Sequence, residues 1–196
     1  MGKVISLLSH KYQKAAEVGF QEWRRLFEPV ANFDRHTRWA DLPDELMVFL
    51  CEENPESQFS FYDLIMRSLG LGTGHDFEKQ PFERLTLLMN AYFFIMDQAR
   101  FECMRRLGWL ERIPRKGQAI IEVIMESEHY DYPTLLETPE PTPAHPAYLD
   151  YLTITLDLER SVLIRRSFPE AIRRFKAELA GKKSGKRKES TWKSCW

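Results

Sequence analysis

Residues 81–110 carry the pattern that most constrains the fold of this chain. Apolar residues recur there every three or four positions, the spacing of one helix face, at Leu85, Leu88, Tyr92, Ile95, Ala99, Cys103, Leu107 and Leu110. Others fill most of the remaining circumference in the first half, at Leu87, Met89, Phe93, Phe94 and Met96. A helix that is apolar nearly all round must be buried nearly all round. The sequence therefore predicts a central helix over about 81–108, inside a soluble helical domain.

Both ends of this helix are marked by local signals. Pro81 suits the first helical position, where its missing N–H costs nothing. Gly108 suits the left-handed conformation just past the end, and Trp109 would then fold back onto Met104 in a Schellman turn. Residues 66–71 repeat this arrangement. We therefore predict that the preceding helix ends with the same stop signal.

Composition bounds the class of protein. An apolar fraction of 43%, with 13% aromatic residues, suffices for a packed core. No apolar run approaches the length of a membrane span, and residues 4–8 are too short for a signal-peptide core. The three cysteines have no metal-ligand spacing, and Cys51 and Cys103 fall inside helical patterns. They are best interpreted as core residues in a reducing compartment, so we expect a cytoplasmic protein.

Acidic and basic residues are segregated into different regions of the chain, although the net charge is only −1. Residues 165–196 contain eleven Lys or Arg against three acids, whereas residues 117–159 contain nine acids and no Lys or Arg. A chain charged in this way can bind itself, a second copy or an anionic partner. We predict that the basic end docks on the acidic region, at Glu126, Glu128 and Asp131.

The other segments are assigned from apolar spacing and from Pro and Gly. We predict helices over 4–30, 44–53, 56–69, 148–166 and 169–181. Inward-facing residues include Phe59 in the third of these, and in the fourth Leu149, Leu152, Leu156 and Leu163. Residues 118–128 have the β-branched content of a strand but helical spacing. A helix is favoured because no partner strand is visible elsewhere.

The resulting prediction is an all-α fold. It is a compact multi-helix bundle around the long buried central helix, with a C-terminal helical pair and a flexible basic tail. We expect a helical core domain over 1–137 and a Pro-rich extended connector over 138–146. Helices over 147–181 pack on the core, and 182–196 form a disordered basic tail.

A polar stripe runs along the central helix at Thr86, Asn90, Asp97 and Arg100. These residues fall within about 40° of one line at 100° per residue. The stripe would suit a small-molecule or metal-binding pocket. The alternative is a solvent-facing edge with Asp97 and Arg100 as an ordinary surface pair.

Other motifs give weaker signals. Glu126 and His129 have the Glu-x-x-His spacing of half a di-iron site, but no second copy exists, so an acidic helix end is the favoured interpretation. The glycine-rich residues 70–74 lack the Lys-Ser/Thr of a phosphate-binding loop and are interpreted as a linker. The N-terminus fits an acylation pattern at Gly2, but a chance match or an ordinary helix start is the favoured interpretation. We identify no catalytic residue and predict no cofactor.

The basic C-terminal tail is the strongest surface feature in the sequence. Clustered cations attract phosphates, and tryptophans can stack on bases. The candidate nucleic-acid or anion-binding residues are Lys182, Lys183, Lys186, Arg187, Lys188 and Trp192. The alternative is a solvated tail or one that docks on the chain itself.

Three functions remain open on the sequence alone. The favoured one is a non-catalytic helical interaction or adaptor protein that self-associates or binds a protein partner. The second is a nucleic-acid-associated protein that uses the basic tail. The third is a small-molecule or metal-binding bundle that uses the polar stripe.

Overall fold

The computed structural model describes residues 17–25, 27, 34–52, 54–127 and 138–192, with side chains described up to Lys182 except at Ser127. The first helix, α1, is described over residues 17–25. The other helices are α2 (Asp44–Cys51), α3 (Pro55–Ser68), α4 (Phe82–Arg106), α5 (Ile120–Ser127), α6 (Tyr148–Thr153), α7 (Asp157–Arg166) and α8 (Phe168–Trp192). Short 3₁₀ turns span Trp39–Asp41 and Gly74–Asp76.

The predicted all-α bundle around a long central helix is confirmed. Helix α4 packs against α2, α3, α5 and α8. The main core includes Trp23 of α1, Met47 of α2, Phe61 of α3, Ile95 of α4 and Ile124 of α5. A second, smaller core gathers where α4 ends, around Phe101, Trp109, Ile164 and Phe168. Helix α4 contributes to both cores and therefore links them.

The predicted stop signals of α3 and α4 are confirmed. Gly108 has a φ of 73°, and the Trp109 N–H donates to the Met104 carbonyl at 3.0 Å. Gly70 has a φ of 67°, and the Leu71 N–H donates to the Met66 carbonyl at 2.8 Å. These bonds satisfy carbonyls that the helix end leaves without an intrahelical partner.

Burial along α4 differs from the prediction. Its second half is buried nearly all round, but Phe82, Leu87 and Phe93 in the first half are exposed. Only one face of that half is covered, where the Tyr92 ring meets Phe61 and other α3 side chains. Apolar periodicity identified the helix, but it could not show that its neighbours gather around one half.

The helix predicted within residues 118–128 is confirmed by α5, which spans Ile120–Ser127. The structure nevertheless contains a two-stranded antiparallel sheet that the sequence did not reveal. Strand β1 (Leu110–Arg112) pairs with β2 (Glu140–Pro141). Part of the Pro-rich segment therefore pairs with β1, which follows α4, and His145 of the same segment is buried.

The C-terminal helices differ from the prediction in two ways. The single helix expected over 148–166 is broken into α6 and α7 by residues 154–156, and its Leu149, Leu152 and Leu156 are exposed rather than inward. The second difference is at Gly181, where the predicted helix stop is wrong because α8 continues to Trp192. Mobility of the basic tail stays a prediction.

Phe59 of α3 was also predicted to face inward, but its side chain is exposed.

Candidate functional site

The structure divides the polar stripe between the two halves of α4. Thr86 is exposed, and its hydroxyl donates to the Phe82 carbonyl at 3.0 Å. Asn90, Asp97 and Arg100 are half-buried. Asp97 and Arg100 face the second core, and the Arg100 guanidinium lies 5.4 Å from the Phe168 ring centre. Ligand binding by the stripe stays a prediction.

Asp97 pairs with a residue that the sequence did not connect to it. Arg165 of α7 donates from Nε to Asp97 Oδ2 at 2.6 Å, and its guanidinium lies over the Phe101 ring. Burial raises the pKa of Asp97, and the charges of Arg165 and Arg100 partly oppose that rise. Asp97 thus ties α4 to α7, a contact that neither interpretation of the stripe predicted.

Glu126 of the Glu-x-x-His motif forms polar contacts with two nearby residues. It forms an ion pair with Arg115 and accepts a hydrogen bond from Gln118 Nε2 at 2.7 Å. His129 lies outside the described residues. Within the described part of the chain, no group of three or more His, Cys, Asp or Glu side chains is placed to hold a metal ion.

In the described part of the basic end (residues 165–196), two lysines of α8 contact residues of α2 and its end. Lys176 pairs with Glu52, and Lys182 Nζ lies 3.8 Å from Asp44 Oδ2. Glu126 of the acidic region pairs with Arg115, and docking of the basic end on that region stays a prediction. Glu128, Asp131, Gly2 and the side chains of Lys183, Lys186, Arg187, Lys188 and Trp192 lie outside the described residues. Nucleic-acid binding by the tail stays a prediction.

Helices α6 and α7 expose an aliphatic surface that the sequence did not predict. We name it the leucine surface, and its residues are Leu149 (76% exposed), Leu152 (58%), Leu156 (60%), Leu158 (56%) and Val162 (37%). No residue of α6 is buried. Apolar spacing indicates that a helix has a face, but not whether another element of the same chain covers that face.

The leucine surface is held in place by contacts on the buried side of α7 and at the break between α6 and α7. Ser161 and Ile164 of α7 are fully buried in the structure. Arg160 Nε donates to the Ile154 carbonyl at 2.8 Å, which fixes the break between α6 and α7. The Arg160 guanidinium also lies 5.0 Å from the Tyr151 ring centre. These contacts anchor the inner side of α7 and leave its outer side to solvent.

A cleft of about 270 Å³ lies between α3 and the Gly74–Asp76 turn, at the opposite end of α3 from its Schellman turn. We name it the α3 cleft, and its lining residues are Pro55, Gln58, Phe59, Tyr62, Gly74, His75 and Glu78. Residues 70–74, interpreted from the sequence as a linker, include Gly74 of the cleft wall. Phe59, which lines the cleft, was predicted to face inward, so no signal in the sequence pointed to the cleft.

Comparison of the chain with protein-family models, with curated proteins and with solved structures finds no match. In the part of the chain that the structure describes, no helix is both long and apolar enough to cross a membrane.

Proposed function

We propose that this chain is a helical interaction protein that self-associates through the leucine surface. The observation that supports this is the exposure of five large aliphatic side chains within 14 residues of sequence, on α6, on α7 and at the break between them. Single exposed aliphatic residues are normal on protein surfaces, but clustered ones mark interaction sites. Removing such a cluster from water stabilises association in proportion to the apolar area buried.

The anchoring of α7 favours a preformed interface. Ile164 is fully buried, and Arg165 ties α7 to Asp97 of the central helix. A partner that docks on the outer side of α7 does not have to order that helix first. Preorganisation of this kind lowers the entropic cost of association.

The charge layout of α7 favours a second copy of this chain as the partner. Asp157 and Glu159 are exposed near its first turn, and Arg166 is exposed in its last turn. At 100° per residue, Leu158, Val162 and Arg166 follow one another along the outer side of the helix. Two copies of α7 that pack antiparallel about a two-fold axis bring Glu159 of one near Arg166 of the other. An isologous interface needs this kind of self-complementarity.

The oligomeric state in solution tests the proposal. We expect the full chain to be a dimer by light scattering after size exclusion, and Leu158→Glu to be a monomer with an unchanged helical spectrum. Leu87→Glu is the matched control, because Leu87 is equally exposed but lies on α4. It should remain a dimer. A monomeric wild-type chain at high concentration would refute self-association, and loss of the dimer in Leu87→Glu would place the interface elsewhere.

A charge reversal tests the antiparallel arrangement. Glu159→Arg and Arg166→Glu should each weaken the dimer, because each places like charges opposite one another. The double variant should restore it, because the reversed charges pair again across the two-fold axis. If the double variant is weaker than both single variants, the two helices do not meet in this orientation.

A further inference from the structure

The α3 cleft is built by a close approach between a turn and a helix. The Gly74 N–H donates to Asp63 Oδ1 at 3.0 Å and holds the Gly74–Asp76 turn against α3. A Cβ at position 74 would lie 2.9 Å from Cε2 of Phe59 and 3.0 Å from the Asp63 nitrogen. Glycine at this position therefore lets the Phe59 ring lie directly against the turn backbone.

Aromatic groups of the cleft are fixed before any ligand arrives. The Phe59 and His75 ring centres lie 4.6 Å apart, although the Phe59 side chain is 38% exposed. The Tyr62 ring stacks on Phe77 at 3.8 Å, and its hydroxyl accepts a hydrogen bond from Gln58 Nε2 at 2.6 Å. The cleft thus presents the Phe59 and His75 rings and a hydroxyl that is oriented by Gln58.

The charge around the α3 cleft is negative. Glu78 lines it, and no Lys or Arg is among its lining residues. Glu56 is exposed beside the lining residue Pro55 in the first turn of α3. The nearby cation Lys79 lies 3.3 Å from the Asp76 carboxylate. A cation therefore meets a favourable field here, whereas an anion meets a repulsive one.

We propose that the α3 cleft binds an organic ammonium group. Aromatic ring faces attract ammonium groups through their quadrupole, and methylated ammonium groups add apolar contact with the rings. Glu78 supplies the opposite charge at the rim, and the Tyr62 hydroxyl a polar contact at the wall. The volume of about 270 Å³ lies just below the range of roughly 300–1,000 Å³ for drug-sized ligands, which limits the occupant to a small group. This proposal does not depend on self-association through the leucine surface.

Choline and its neutral carbon isostere, 3,3-dimethyl-1-butanol, form the decisive probe pair. They have nearly the same shape and differ in charge. Titration followed by NMR should give saturable choline-induced shifts of the Phe59 and His75 ring resonances. The isostere should bind about three- to tenfold more weakly, because it lacks the cation–π and carboxylate attraction. Equal binding of the two probes, or no saturable shift with choline, overturns the proposal.

Both small molecules and methylated lysine side chains carry such an ammonium group, and a third titration separates these sources. Free trimethyl-lysine amide that binds at least as tightly as choline assigns the site to the side chain, and weaker binding assigns it to the small molecule. Either result requires the Phe59 and His75 shifts. Shifts at other residues, with none at these two, overturn the proposal.

Variants of the full chain test the roles of the ring and the carboxylate. Phe59→Leu keeps apolar bulk but removes the ring, and Glu78→Gln removes the charge. Each should weaken choline binding about three- to tenfold. Phe93→Leu and Glu111→Gln are the matched controls, because both residues are exposed outside the cleft. They should leave binding unchanged. Unaltered binding in Phe59→Leu and Glu78→Gln, or an equal loss in the controls, refutes the site.

Discussion

Arg106 binds Glu102 one turn earlier on the central helix, with 2.9 Å between Arg106 Nε and Glu102 Oε1. The Glu102 side chain is almost fully buried, and Arg105 also bonds to it. Arg106 alone reaches further, to Asp44 at the start of α2 and to the carbonyls of Trp39, Ala40 and Leu42. This guanidinium therefore joins the end of α4 to the Trp39–Asp41 turn and to α2.

The Arg106→Met substitution should lower the free energy of unfolding by about 3–5 kcal/mol. It keeps the apolar stem but removes the charge that balances buried Glu102, and the loss of one partner of a buried pair has that cost. Arg105→Met is the control, because Arg105 is more exposed and bonds to Glu102 without reaching α2. Its cost should be about 1 kcal/mol. Chemical denaturation measures both, and equal costs would contradict the bridging role of Arg106.

The Cys51 and Cys103 thiols should not react in the folded protein. Both are fully buried. The hydrogen bond with Cys51, together with burial, raises the pKa of the Cys103 thiol far above its usual range. The reactive species is the thiolate, so a raised pKa and loss of access act in the same direction. In a Cys195→Ser variant, a colorimetric thiol reagent should detect almost no thiol until denaturant is added, and two thiols per chain afterwards. Fast reaction in the native state would contradict this packing.

Local signals in the sequence predicted the helices well. The stop signals at Gly70 and Gly108 depend on a few neighbouring residues, and the structure confirms both. The spacing within residues 118–128 likewise predicted α5 correctly. At these positions the conformation is set by residues within about one turn, so the sequence was sufficient there, although the same kind of signal failed at Gly181.

Contacts between distant segments were not predictable in this way. Leu149 and Leu152 have the spacing of a buried face, but no spacing rule shows whether another element covers that face. The tie between Asp97 and Arg165 joins residues 68 positions apart. The α3 cleft depends on the approach of Gly74 to Phe59, and the sequence showed Gly74 only as part of a glycine-rich linker.

Truncation of Ile95 should be costly, whereas truncation of its neighbour Phe93 should not. Ile95 is fully buried in the main core, and Phe93 is 47% exposed on the same helix. Ile95→Ala should lower the free energy of unfolding by about 2–5 kcal/mol, the range for large deletions in a core. Phe93→Ala should cost about 1 kcal/mol or less. Urea denaturation of both variants gives the comparison, and similar losses would mean that the burial along α4 is misassigned.

His145 should make stability depend on pH in weak acid. It is buried beside Trp109, and its Nδ1 accepts a hydrogen bond from the Ala147 N–H at 3.0 Å. Burial lowers the pKa of His145 to about 4. In the unfolded chain the pKa of a histidine is about 6.5, so between these values the unfolded chain binds the proton and the folded chain does not. Stability contributed by neutral His145 is therefore complete above about pH 6.5 and is lost as the pH falls toward 4.

The size of this effect follows from the difference between the two pKa values. The free energy of unfolding falls by at most about 3 kcal/mol as the pH drops from 6.5 to 4. Protonation would also place a hydrogen on Nδ1, where the Ala147 N–H already donates. His145→Gln should flatten the slope of unfolding free energy against pH between about 4 and 6.5, measured by urea denaturation at several pH values. His36→Gln is the control, because His36 is exposed, and it should leave the slope unchanged. A slope that persists in His145→Gln would show that other groups cause the acid sensitivity.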